Sequence, residues 1–169
     1  MININNAVQF QHLIWDRIMK SASVVVDATC GNGHDLLYLA ERAQSECHLY
    51  GIDIQEQAVS ASRELLASKK LQSNVTITFL HNSHDIALHQ EIKENTIDLI
   101  IFNLGYLPGG DHSIITRPHN TIEALNNAFP KLAKDGIITI VAYPGTPEGM
   151  EEKDALHDFI AQLDQAKYI

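Results

Sequence analysis

The sequence predicts an α/β fold, a doubly wound and mainly parallel sheet with helices on both faces. Three observations carry this. Short β-branched runs such as "SVVVDA" (23–28) and "IDLIIFN" (97–103) read as buried strands. Segments with apolar residues at helical spacing separate them. Buried strands that alternate with helices imply parallel pairing with both faces covered, and right-handed crossovers then give a doubly wound order. The length, 169 residues, suits a single domain over 1–169 with one proper core.

The elements follow in order. Residues 7–20 carry Phe10, Leu13, Ile14 and Ile18 at helical spacing. The strand at 23–28 leads into a helix over 34–43, with Leu36, Leu37, Ala40 and Ala43 on one face. "HLYGID" (48–53) is a strand. Residues 55–70 form a helix whose closing lysines suit its negative C-terminal end. "VTITFL" (75–80) is a strand, and a short helix fits around 85–93. After the strand at 97–103, "TIEALNNAFPKLAKDG" (121–136) reads as a helix with Ile122, Leu125 and Phe129 inward. Pro130 is expected to kink it or start a new turn, and Gly136 to stop it. "IITIVAY" (137–143) is a strand, and 148–165 a final helix.

Composition narrows the function classes. Hydrophobic residues make up 45% and charged residues 20%, ordinary for a globular protein. No apolar run reaches the roughly 18 residues that a membrane helix needs, and the first residues lack the pattern of a signal peptide. Cys30 and Cys47 make no disulfide framework, so a cytoplasmic protein without membrane contact is expected. A net charge of −9 argues against broad, non-specific phosphate binding but permits a local basic site.

Ligands in such folds bind beyond the carboxyl ends of the strands, at the switch point. The tips near 27–33, 53–55, 81–84, 103–113 and 143–149 should therefore converge. The first reads "VVVDATCGNGHD": a strand into Asp27, a turn with Gly31 and Gly33, then a helix. Twenty residues after Gly33, Asp53 ends the second strand, where a carboxylate can accept both hydroxyls of a ribose. A dinucleotide would need a third small residue where Leu36 stands, and Asp35 in the first helical turn would repel a pyrophosphate. S-adenosylmethionine has no phosphate, and Asp27 and Asp35 suit its cationic end, so it is the favoured cofactor.

The third tip, "FLHNSHD" (79–85), can line an adenine through Asn82, Ser83 or His84. His81 and His84 are spaced H-x-x-H, but zinc takes three or four ligands and the cysteines show no ligand-pair spacing, so no metal is expected.

At the fourth tip, "NLGYLP" resembles the N-P-P-Y signature of amino-group methyltransferases, with Leu104 and Gly105 replacing the prolines. A nitrogen lone pair must point at the methyl carbon, so the N–H bonds need acceptors that turn it inward. Asn103 is placed for that, and Tyr106 can pack against a flat base. An alkylamine has a free pKa of about 10.4 and must lose a proton before attack. Asp111 and His112, on the "GGDHS" turn, are the candidate acceptors.

Taken together, "DATCGNGHD", "GIDIQ", "NLGYLPGGDHSIIT" and "YPGTPEGMEE" resemble the bacterial tRNA 5-(aminomethyl)-2-thiouridine methyltransferases, a family earlier filed under rRNA methylases. The resemblance runs over about residues 5–169. It implies a class I, Rossmann-like methyltransferase fold and transfer of methyl from S-adenosylmethionine to the aminomethyl nitrogen of the tRNA wobble uridine. The anticodon stem-loop is then the partner, and a homodimer the assembly. By position, Asp27, Gly31, Asn32, Gly33, His34 and Asp35 match the cofactor loop, with Thr29 inside it. Asp53 and Gln55, flanking Ile54, match the ribose tip. Ser83 and His84 match the adenine-side loop.

Asn103, Gly105, Tyr106, Leu107, Gly109, Gly110 and Asp111 match the substrate signature, and Tyr143, Pro144 and Gly145 a later loop. Arg117 is the best RNA contact, with His119, Lys131 and Lys134 as further candidates for a small basic surface. Three departures stand out: Thr146 replaces a family histidine, His112 replaces a lysine, and the sequence stops at "KYI", short of the family's last two strands. Two other readings compete: an N-methyltransferase on another RNA base or a small-molecule amine, and a module that binds the cofactor without turnover.

Overall fold

In the computed structural model, residues 7–107, 109 and 114–168 are described. Five strands form one sheet: β1 (Val24–Asp27), β2 (Cys47–Asp53), β3 (Val75–His81), β4 (Ile97–Asn103) and β5 (Leu132–Val141). Their spatial order is β3-β2-β1-β4-β5, and every adjacent pair is parallel. The chain winds outward from β1 through β2 to β3, then returns to β4 on the other side of β1. The switch point is thus between β1 and β4, as expected for a doubly wound sheet.

Side chains alternate across the sheet. Val25, Leu49, Leu99 and Ile101 join a core with Trp15, Leu36, Leu39 and Leu66, from α1 (Ala7–Ile18), α2 (His34–Ala40) and α3 (Glu56–Ala67). Val26, Tyr50, Ile100 and Phe102 join a second core with Leu88, Leu125 and Leu156. Its helices are α4 (His84–Ile86), continued by a wide turn over Ala87–Glu91, then α5 (Pro118–Ala128) and α6 (Pro147–Ala161).

Three expectations need correction. The inward face of α1 carries Gln11 and Trp15, with Ile14 and Ile18 packed against the same core, while Phe10 is 53% and Leu13 36% exposed. The indole sets this rotation, because Trp15 is fully buried and donates Nε1–H to Thr139 Oγ1 at 3.1 Å. Next, α5 ends at Ala128, and only one tight turn, Phe129–Lys131, precedes β5. Pro130 cannot continue the helix. Ile97 pairs with Leu132 and Leu99 with Ile137, so residues 133–136 bulge opposite Asp98. Gly136 serves that bulge, not a helix stop: a Cβ there would lie 2.9 Å from the Ile97 carbonyl.

The proposed basic surface also divides. Arg117 sits at the carboxyl ends of the strands and lines the main cavity, whereas Lys134 lies beside Asp98 and Ile18 at their amino ends. Lys131 Nζ is bound to the Ile92 carbonyl. An 11-residue helix spans about 16 Å, which carries the chain across the sheet between Arg117 and the lysines.

Candidate active site

The loop after β1 is stitched to both neighbouring strands. Ala28 N–H bonds the Ile101 carbonyl at 2.9 Å, and Cys30 N–H the Ile52 carbonyl at 2.8 Å. Gly31 N–H donates to Asp53 Oδ2 at 3.0 Å, and Gln55 N–H to Asp53 Oδ1 at 2.9 Å. The carboxylate at the end of β2 therefore organises both tips and stands on the wall of the space between them. Burial raises its pKa, against the opposing pull of those N–H groups.

Gly33 has φ +83°, and a Cβ there would come within 2.8 Å of Ser62 Cα. Glycine is needed on both counts. Where a dinucleotide fold would carry its third glycine, Leu36 is fully buried. It packs so close to Gly51 that a Cβ there would sit 2.7 Å from Leu36 Cδ2. The start of α2 carries Asp35, which would repel a pyrophosphate. These features fit a ligand with a ribose and a cationic end.

A cavity of about 720 Å³ opens where the tips meet. The β1 loop lines it with Thr29, Gly31, Asn32, His34 and Asp35. Asp53, Ile54 and Gln55 form the next wall, and Ser83 and His84 the one beyond. Asn103, Tyr106, Leu107, Arg117, Tyr143 and Gly145 complete it. Four of the described residues predicted to hold cofactor or substrate are not on the wall: Asp27, Gly33, Asn82 and Gly109. Asp27 stands behind its loop, 1% exposed, accepting Thr29 N–H at 3.1 Å. Burial, then the charge of Asp35, holds its carboxyl well above the usual range. It is a support for the loop rather than a direct contact. Gly110, Asp111 and His112 lie outside the described residues.

His84 is 8% exposed, and its Nε2 has no hydrogen-bond partner among the described residues. Burial lowers its pKa, which favours the neutral ring. Ser83 Oγ bonds Asp85, and Asn120 Nδ2 reaches the same carboxylate at 3.3 Å.

Asn103, at the tip of β4, is held on two sides. Its N–H donates to Thr29 Oγ1 at 2.7 Å, and its Nδ2 to Asp35 Oδ2 at 2.7 Å. An ionised carboxylate only accepts, so this partner determines which way the amide faces. Its Oδ1 is buried without a partner among the described residues. Beyond it, Gly105 N–H donates to Thr116 Oγ1 at 2.8 Å, and Thr116 N–H to the Gly105 carbonyl at 3.0 Å. An antiparallel bridge joins Tyr106 to Ile115. The rings of Tyr106 and Tyr143, 45% and 52% exposed, stand at the mouth.

Sequence reasoning missed several of these residues. Glu152, 1% exposed on α6, accepts from Thr116 Oγ1 at 2.5 Å and from Thr121 Oγ1 at 2.7 Å. It moors the stem of the Tyr106 loop. In the sequence it is one acid within "EEKD", with no signal of its own. Asn120, Thr116 and Val8 also line the cavity unannounced. Among the described residues, no cluster of three metal-binding side chains occurs, and no helix is long and apolar enough to cross a membrane.

Comparison with known proteins places this geometry. The model of the family described as "Putative rRNA methylase" matches residues 49–169. The chain belongs to that family. As an rRNA-methylase family chain, it is 32% identical over 169 residues to the chloroplastic tRNA (mnm(5)s(2)U34)-methyltransferase of Arabidopsis thaliana. The match covers 96% of this chain, which spans 62% of the plant protein's length. A crystal structure from Clostridium thermocellum, named a "putative rRNA-methylase", is 38% identical with a TM-score of 0.90, covering 99% of this chain and 88% of that one. A "putative methyltransferase" from Streptococcus mutans, in complex with SAH, is 31% identical with a TM-score of 0.82, covering 97% and 86%. The five-stranded parallel sheet flanked by helices is the Rossmann-like methyltransferase fold of these structures.

Proposed function

We propose that this chain is an S-adenosylmethionine-dependent N-methyltransferase whose acceptor is the aminomethyl nitrogen of a 5-aminomethyl-2-thiouridine at the tRNA wobble position. The observation that carries this is Asn103 Oδ1, a buried acceptor without a described partner, at the tip of a cavity wall. An unsatisfied buried acceptor costs roughly 1–3 kcal/mol, so a donor is expected to complete it. The N–H of an amine is such a donor. The plant relative's name and the SAH held by the Streptococcus structure support the reading.

Bound S-adenosylmethionine supplies an electrophilic methyl group on sulfur. Asp53, on the cavity wall, would accept the ribose hydroxyls on its carboxylate. Asp35 offers negative charge to the cationic end. Ser83 and His84 would line the base, with His84 Nε2, which has no partner among the described residues, as an acceptor. Asn103 Oδ1 accepts an N–H of the substrate amine and so aims the nitrogen lone pair along the line of attack. Tyr106 and Tyr143 flank the base that carries the amine, and such stacking is worth about 1–3 kcal/mol per base.

The alkylammonium must shed one proton before attack, and Asp111 and His112 remain the candidate acceptors. Arg117 at the cavity edge is the proposed phosphate contact. The reading takes residues 1–169 as one methyltransferase domain and the assembly as a homodimer.

The net charge of −9 favours a second reading, a small-molecule amine as acceptor. Nucleoside mass spectrometry separates the two. The protein is incubated with S-adenosylmethionine and bulk tRNA from a strain lacking the modification. A gain of one methyl on the aminomethyl-thiouridine nucleoside is expected. Unchanged tRNA together with methylated free amines would replace the first reading by the second.

A further inference from the structure

A residue outside all five strand tips reaches the acceptor side. His12, on α1, places Nε2 3.4 Å from Asp35 Oδ1. The other oxygen of that carboxylate holds Asn103 Nδ2 at 2.7 Å. A chain of contacts therefore runs from His12 through Asp35 to Asn103 and ends on Oδ1, which has no partner among the described residues. The imidazole is itself fixed. It stacks on Tyr38 with ring centroids 3.7 Å apart at 19°, and the Arg42 guanidinium lies 3.3 Å from the same ring's centroid. Asp16 ties that stack together, accepting from Tyr38 OH at 2.9 Å and Arg42 Nε at 2.8 Å.

We propose that His12 is a positioning residue for methyl transfer, which fixes the Asp35 carboxylate and through it the direction of the Asn103 amide. The proposal rests on the methyltransferase reading of the site. Its physical basis is rotational freedom. A carboxylate held through one oxygen turns about its Cβ–Cγ bond, and the amide bonded to it follows. A donor on the other oxygen removes that freedom. Because Asp35 only accepts, His12 meets it with an N–H on Nε2. Should the carboxylate swing away, the amide can flip and turn Nδ2–H toward the substrate. A donor would then face the amine's own N–H, and the lone pair would lose its aim. Small misplacements of this kind act on turnover more than on affinity.

The test uses the full chain, S-adenosylmethionine and tRNA lacking the modification. His12→Leu keeps an apolar side chain against Tyr38 and removes the donor. His12→Gln restores an N–H close to the position of Nε2. The expected result is a roughly tenfold fall in kcat for the leucine variant, with KM for tRNA, calorimetric affinity for S-adenosylhomocysteine and melting temperature near wild type. The glutamine variant should recover most of the loss. A readout independent of turnover is the Asn103 side-chain amide resonance, assigned by its disappearance in Asn103→Ala. It should shift or broaden in His12→Leu and return in His12→Gln.

Wild-type kcat in the leucine variant would overturn the proposal. So would a glutamine variant no better than leucine, a loss of cofactor affinity that matches the loss of rate, or an unmoved Asn103 resonance. If the wild-type protein methylates no amine at all, the methyltransferase reading falls and this inference with it. Wild-type activity beside an unaffected leucine variant removes only the role of His12.

Discussion

The two halves of the cavity are built differently. On the β1–β2 side, backbone groups do most of the holding: Gly31 and Gln55 N–H meet Asp53, and Cys30 N–H meets β2. On the β4–β5 side, side chains hold the frame. Asn103 leans on Asp35 and Thr29, and the Tyr106 loop leans on Thr116 and Glu152. The first half is tied together by backbone donors to Asp53, while the second ends in a buried acceptor with no partner among the described residues and in two exposed tyrosines. A half set by backbone geometry suits a ligand that is always the same. A half set by side chains can be re-aimed by single substitutions.

The sharpest way to break this comparison is Gly33→Ala. A positive φ and a 2.8 Å clash with Ser62 Cα together should cost about 3 kcal/mol of stability. Thermal unfolding would read it, and a melting temperature equal to wild type would show that the loop can yield.

Asp53→Ala comes next. The ribose loses a charged acceptor, and Gly31 and Gln55 N–H lose their partner, for about 1.5–3 kcal/mol of cofactor affinity, or roughly ten- to hundredfold. Calorimetry with S-adenosylhomocysteine measures it. Asn103→Ala should do the reverse, leaving that affinity within about twofold while turnover falls at least tenfold, a loss of about 1.4 kcal/mol or more. Equal effects on both quantities in either variant would erase the division between the halves.

The smallest effect concerns pH. Asp27 has its pKa raised by burial and by Asp35, so its contribution to stability is full below the unfolded value of about 3.9 and is lost as pH rises through the folded one. Asp27→Asn does not titrate and keeps an oxygen for Thr29 N–H. Its melting temperature should gain on wild type as pH rises from 4 to 8. A constant difference would mean that Asp27 is no strained support.

The same division decides what the sequence discloses. The backbone-built half is legible because its elements are local: a strand, two turn glycines, a helix, and an acid twenty residues on. The span predicted for β4 matches the observed one. The helix predicted over 121–136 fails because β5 begins at Leu132, and its bulge against Asp98 is a long-range pairing that no local propensity encodes. Glu152 and His12 are invisible for a similar reason. Glu152 lies 36 residues from Thr116, and His12 23 from Asp35, in helices whose spacing reads as ordinary surface. The exposed Phe10 and Leu13 show the converse, since apolar spacing alone did not reveal which face of α1 the indole would turn inward.

The most direct test is a crystal structure of the full chain with S-adenosylhomocysteine. The account predicts the ribose hydroxyls on Asp53 and the sulfur turned toward Asn103 Oδ1, with the space between Tyr106 and Tyr143 left for the acceptor. A ligand whose ribose avoids Asp53, or whose sulfur points away from Asn103, would contradict it.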